Sequence, residues 1–146
     1  MDYLILCVGN RNGGDDAIGP YVADKLESDE NIAVIDCGTI PENYTSIVKR
    51  YKPKQLVIVD AVEMNLTPGE MRIVPKEKIG RMHISTHGIP ISVLMDYLEK
   101  YVENIFFIGI QPEKMSGELS KDVQNSGERL VEFIKNNKIE QIELLQ

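Results

Sequence analysis

Cysteine is scarce in this chain, with only Cys7 and Cys37 among 146 residues. Each lies in or at the end of an apolar, strand-like run, so the two read as buried free thiols rather than a disulfide or a metal clip. No apolar run approaches the roughly 20 residues that a spanning helix needs, which argues against membrane insertion. A basic leader with a small-residue cleavage site is missing too, since Met1-Asp2 runs straight into a strand. A cytoplasmic protein is the expectation. Basic clusters are absent beyond Lys49-Arg50 and Lys52-Lys54, and the net charge is −7. Neutralising phosphates takes a basic face, so nucleic acid is not the expected partner. No repeat, low-complexity tract or linker interrupts the sequence. Residues 1–146 suit one domain with a substantial core.

What is present is a set of apolar runs separated by helical patterns. Tyr3–Val8, Gln55–Val59 and Asn104–Ile110 read as buried strands, nearly continuous in apolar residues as parallel strands are, and Ile32–Cys37 reads as a further strand. Glu70–Val74 alternates like a short half-exposed strand, and Ile139–Leu145 suggests a last short one. Ile18, Val22 and Leu26 recur at helical spacing, with Pro20 suited to a first turn and Asp15 or Asp16 placed to cap it. Further helices are expected from Pro41 to about Tyr51, stopped by Pro53, over Ile89–Tyr101, and from a Ser120 cap to about Asn136. Lys76–Gly80 suggests one helical turn. The order predicts an α/β fold: a three-layer sandwich with a mainly parallel, twisted sheet of about five strands and helices on both faces.

The organising stretch is the turn after the first strand, Gly9-Asn10-Arg11-Asn12-Gly13-Gly14-Asp15-Asp16. Glycine lets the backbone bend tightly there, and the turn delivers an acid to the carboxyl end of a strand, where open α/β sheets bind ligands. Asp60 follows the third strand, and His87 sits in a polar loop, Arg81–Gly88, that holds both histidines. Asp16, Asp60 and His87 therefore fall on one edge of the expected sheet. Two carboxylates and an imidazole suit a borderline divalent metal, with positions left open for another ligand. The plain alternatives are a helix cap for Asp16, a strand-end acid bonded to a backbone amide for Asp60, and an ordinary loop histidine. A phosphate cradle is a rival reading of the turn. It lacks both the G-x-G-x-x-G and Walker patterns, and two adjacent acids repel phosphate. Ser85 and Ser92 lie near His87, but neither sits in a Gly-x-Ser-x-Gly elbow. Cys37 has no motif around it, and a small buried residue is favoured over a thiol nucleophile.

One ordered set of motifs runs through the chain: Gly9-Asn10, Gly14-Asp15-Asp16-x-x-Gly19-Pro20, Asp36-x-Gly38-Thr39-x-Pro41-Glu42-Asn43, and Ile58-Val59-Asp60-Ala61. It continues with Pro68-Gly69-Glu70, Ser85-Thr86-His87 and Gly109-Ile110-Gln111-Pro112. The set resembles the endopeptidases that mature the large subunit of NiFe hydrogenases, most closely the hydrogenase 3 type, over roughly residues 3–120. The resemblance implies a peptidase, customarily grouped with the aspartic type, although the chain has no Asp-Thr-Gly arrangement. Its implied partner is the large-subunit precursor, from which it would cut a C-terminal extension after nickel insertion. A non-catalytic nickel checkpoint that binds the precursor is the alternative. By motif match, Asp16, Asp60 and His87 would contact the metal and carry the catalysis. His83 lies outside the matched motif. Asp36 and Gly38 would take part in substrate recognition. Nickel would arrive with the precursor, and no permanent cofactor is implied. Two departures stand out: Cys37-Gly38 replaces the usual glycine pair, and Ala17 replaces the glycine after the double acid.

Overall fold

The computed structural model describes residues 1–79, 83–84 and 88–146. Its strands are β1 (Tyr3–Cys7), β2 (Ile32–Asp36), β3 (Gln55–Glu63), β4 (Met71–Ile73), β5 (His83–Ile84) and β6 (Asn104–Ile110). The helices are α1 (Ile18–Lys25), α2 (Thr45–Tyr51), α3 (Lys76–Ile79), α4 (Ile91–Leu98) and α5 (Lys121–Lys135). Short 3-10 turns cover Gly14–Ala17, Pro41–Tyr44 and Ile139–Gln141. The sheet order is β2-β1-β3-β6-β4, parallel except for β4, with β5 pairing antiparallel to the end of β3. The expected mainly parallel sheet with helices on both faces is thus the architecture found.

Side-chain alternation along the strands divides the interior into two cores. Leu4, Leu6, Leu56, Ile58 and Val62 meet α2 and α4 through Val48, Ile91, Leu94, Met95 and Leu98. Ile5, Cys7, Val57, Val59 and Ala61 meet α1 and α5 through Ile18, Val22, Val123, Leu130 and Ile134. Both faces of β1 and β3 are therefore covered, which is why their sequences are continuously apolar, whereas the edge strand β2 stays half-buried. Burying one such side chain stabilises the fold by about 2 kcal/mol.

Several boundaries differ from the sequence pattern. β3 runs to Glu63 rather than stopping at Val59, so Asp60 lies inside the strand, paired with Gly109 of β6. The pattern of apolar residues breaks at Asp60, but β6 extends far enough to keep its backbone bonded. The chain end forms a 3-10 turn and one isolated bridge, Ile73–Leu144, in place of a strand over Ile139–Leu145. α4 begins at Ile91 because Pro90 is extended, with ψ 144°. α2 ends as expected before Pro53, with Lys52 in the left-handed region at φ 46°. No helix among the described residues is long and apolar enough to cross a membrane.

Candidate functional site

The strand order reverses at β1: the chain moves from β1 outward to β2 on one side, then returns to β3 on the other. The crevice beyond the carboxyl ends at such a switch point is the usual ligand position in open α/β sheets. The loop after β1 carries Asp16. β1 pairs with β3 as far as Cys7–Val59, and the Val8 amide donates to the Val59 carbonyl at 2.8 Å. Asp60 is the next residue. The Gly14–Ala17 turn packs against β3, so the elements bearing Asp16 and Asp60 meet. Asp60 shares its side-chain parity with Ile58 and Val62, which face α2 and α4.

Both carboxylates are nearly excluded from solvent, with Asp16 4% and Asp60 0% exposed. An Asp16 oxygen accepts the Asn10 amide at 3.0 Å, and an Asp60 oxygen accepts the Ala61 amide at 2.8 Å. Neither Asp15 nor Asp16 caps a helix. Ionised carboxylates are hard oxygen donors that suit a divalent cation.

Asp15 does something different from its neighbour. Its buried carboxylate accepts the Glu113 amide (2.8 Å), the Lys114 amide (3.1 Å), and the Ser120 amide and hydroxyl (2.6 and 2.7 Å). Burial pushes this carboxyl up, but the hydrogen bonds from Ser120, Glu113 and Lys114 outweigh it and leave the group below its usual range. Ser120 occupies the expected cap position of α5, yet its hydroxyl is turned to Asp15 rather than to the helix. Gly14 has φ +64°, and a Cβ there would lie 2.4 Å from the Ser116 amide nitrogen. The turn and the 113–120 segment are thereby locked together.

Asp36 ends β2. One oxygen accepts the Gly38 amide at 3.2 Å, and the other accepts Arg11 at 2.7 Å. Arg11 also forms a two-pronged pair with Asp24 at 2.8 and 2.9 Å, and that pairing holds the Asp24 carboxyl below its ordinary value. The Gly38 carbonyl accepts the Gly9 amide at 2.8 Å, which ties the β2 loop to the glycine turn. Asp36 and Gly38 therefore border the Asp16 turn. Cys37 is a buried free thiol, pushed up to about 12 by burial and by the Asp36 charge. It is no nucleophile at neutral pH.

His87 lies outside the described residues. The backbone of His83 pairs with Glu63 at the end of β3. Among the described residues, no three His, Cys, Asp or Glu side chains cluster as a metal site. Gln111 is a residue to which sequence alone assigns no role, although it belongs to the motif set. Its carbonyl oxygen accepts the Met64 amide at 2.7 Å and the Leu66 amide at 3.2 Å, and its amide group donates to Glu63 at 2.9 Å. It staples the segment leaving β3 to the end of β6. A cleft of about 590 Å³ opens between β4 and α5, lined by Glu70, Arg72, Asp122 and Arg129 among others. None of Asp16, Asp36, Gly38 or Asp60 lines it.

Comparisons with known proteins place the chain beside one family. Residues 18–137 fit the family model described as hydrogenase maturation protease (HycI). The hydrogenase 3 maturation protease of Escherichia coli K12 is 40% identical over 116 residues, covering 77% of this chain and 74% of that protein. The solution structure of the endopeptidase HycI from Escherichia coli superposes with a TM-score of 0.88 at 31% identity, over 100% of this chain and 97% of the other. A hydrogenase maturation protease HycI from Thermococcus kodakarensis gives a TM-score of 0.82 at 31% identity, over 94% and 92% of the two chains.

Proposed function

This chain belongs to the hydrogenase maturation protease family, and from that premise we propose that it cuts a C-terminal extension from the nickel-loaded large-subunit precursor of a NiFe hydrogenase. The observation that supports this reading is the meeting of the Asp16 turn with β3 beside the buried Asp60, at the switch point of the sheet. His87, which precedes α4 in the sequence, is the third member of the site. The nickel comes with the precursor and docks against these three residues, so the metal is part of the substrate. Docking fixes the scissile bond near the two carboxylates, a gain in proximity and orientation. Asp16 or Asp60 takes a proton from the attacking water, which is the sense in which the enzyme is of the aspartic type. The charge that develops on the carbonyl oxygen is met by the bound metal or a protein donor. Asp36 and Gly38 form the wall that reads the precursor. Two unpaired, buried cysteines agree with work in the reducing cytoplasm.

The test is a processing assay on nickel-loaded precursor, read as the mass of the large subunit. Asp16→Asn, Asp60→Asn and His87→Ala are each expected to slow cleavage at least tenfold. Wild-type rates in all three variants would remove these residues from the site.

A further inference from the structure

We propose that the outer edge of β2 docks the C-terminal extension of the precursor, which adds to it as a further strand; the inference deepens the proteolytic reading above and rests on it. β2 (Ile32–Asp36) ends one side of the sheet. The Cys37 amide donates to the Cys7 carbonyl at 2.8 Å, and the Tyr3 amide to the Asn31 carbonyl at 3.0 Å. The odd-numbered residues of this stretch therefore face β1, and Ile32, Val34 and Asp36 turn their backbone groups outward. Side chains close the first half of that outer edge. The Asp29 carboxylate takes the Ile32 amide at 2.8 Å, and the Ser28 hydroxyl takes the Val34 amide at 3.0 Å. The Ile32 carbonyl accepts the Asp29 amide at 2.8 Å. Beyond them, the Val34 carbonyl and the Asp36 amide have no hydrogen-bond partner among the described residues.

The opposite edge of the sheet is capped along β4. The Ile73 amide donates to Glu143 and the Ile73 carbonyl accepts from Leu145, both at 2.9 Å. Arg72 caps the Met71 carbonyl at 2.8 Å, and Arg129 caps the Gly69 carbonyl at 3.3 Å. An open strand edge pairs readily with an extended chain, and folded proteins commonly block it with lysine, proline or a bulge. β2 reads Ile-Ala-Val-Ile-Asp, with neither lysine nor proline, and it is left open at the end that enters the site. Asp36 bonds Arg11 of the glycine turn at 2.7 Å, and the Gly38 carbonyl holds the Gly9 amide at 2.8 Å. Asp36 pairs with Cys7, and Cys7 with Val59. Two strand spacings, about 10 Å, therefore separate Asp36 from the residue before Asp60. About four extended residues cover that span. A terminal extension takes a strand's conformation without unfolding its parent domain, so one tail lies along β2 and still reaches the carboxylates. Main-chain bonds supply the affinity, as in other strand additions. A second copy is the poorer occupant, because a chain of net charge −7 repels its own kind.

The experiment measures kcat and KM for processing of nickel-loaded precursor by the wild-type chain, Asp36→Ala and Asp36→Pro. Both variants lose the carboxylate, and only the proline variant loses the amide. Because that amide faces away from β1, proline is compatible with the strand. Asp36→Pro is expected to raise KM about tenfold beyond Asp36→Ala at a similar kcat, through the lost main-chain bond and the bulk of the ring. Equal KM values in the two variants overturn the proposal. If Asp36→Pro does not fold, a proline scan along the precursor's extension decides, read with the wild-type chain. A KM that rises at alternate positions supports an added strand, since every second residue turns its amide to β2. A profile that is flat, or lacks a period of two, overturns it. Sedimentation of the free chain tests the rival occupant: a dimer that Asp36→Pro disperses gives the edge to a second copy and overturns the proposal. Cleavage by the wild-type chain with equal KM in both variants defeats this inference alone. No cleavage of loaded precursor by the wild-type chain defeats the underlying reading along with it.

Discussion

Asp15 and Ser120, separated by 105 positions in sequence, are joined twice: the Asp15 carboxylate takes both the amide and the hydroxyl of Ser120, at 2.6 and 2.7 Å. This pair closes the 113–120 segment over the glycine turn. Ser120→Ala removes one charge-assisted bond and is expected to cost about 2 kcal/mol. Asp15→Ala strands the amides of Glu113, Lys114 and Ser120 and is expected to cost about 4 kcal/mol. Urea unfolding measures both, and equal, near-zero losses would contradict the assignment.

The same carboxylate sets an acid dependence. Its folded pKa is lowered from the usual 3.8, so the folded state binds the proton less readily than the unfolded chain. Its contribution is fully present above the unfolded value and is lost as pH falls through the lower folded one. The stability gap between wild type and Asp15→Asn should be constant near neutrality and shrink below about pH 4. Urea midpoints across the acid range give the answer, and a gap that widens on acidification would contradict it.

Cys7 and Cys37 are both buried, and burial raises both thiols. The native protein should give no reaction with a disulfide reagent at pH 8, and both thiols should react in denaturant. Cys37→Ala should process precursor at close to the wild-type rate. Rapid native labelling of Cys37 with loss of activity would restore a thiol mechanism.

Asp36 stands at the rim, shared between the exposed Arg11 and the Gly38 amide. A residue that reads the precursor without touching the reacting bond affects ground and transition states alike. Asp36→Asn should therefore raise KM several-fold with kcat nearly unchanged. Arg11→Ala should change stability by less than about 1 kcal/mol, because its partners are solvent-screened. A fall in kcat at constant KM in Asp36→Asn would move this residue into the chemistry.

The strands were legible because burial on both faces leaves an unbroken apolar run in β1, β6 and most of β3. Asp60 was legible as a site candidate but not as a strand residue: hydropathy stops at the first charge, whereas the ladder continues while Gly109 offers a partner. The cap position of Ser120 could be read locally, but its bond to Asp15 could not, since contacts between distant residues leave no periodic trace. At the chain end, Ile139–Leu145 carries enough apolar residues to suggest a strand. A single bridge to Ile73 forms in its place, with Ile139 and Ile142 buried beside α5.

In the proposed reaction, nickel in the precursor is what Asp16, Asp60 and His87 read. The most direct measurement incubates the purified protein with nickel-loaded and nickel-free precursor and follows the large subunit by mass spectrometry. The loaded precursor is expected to lose a C-terminal fragment while the nickel-free one keeps its mass. An unchanged mass in the loaded sample would make the protein a checkpoint rather than a protease. Equal cleavage of both would show that nickel is not the recognised element.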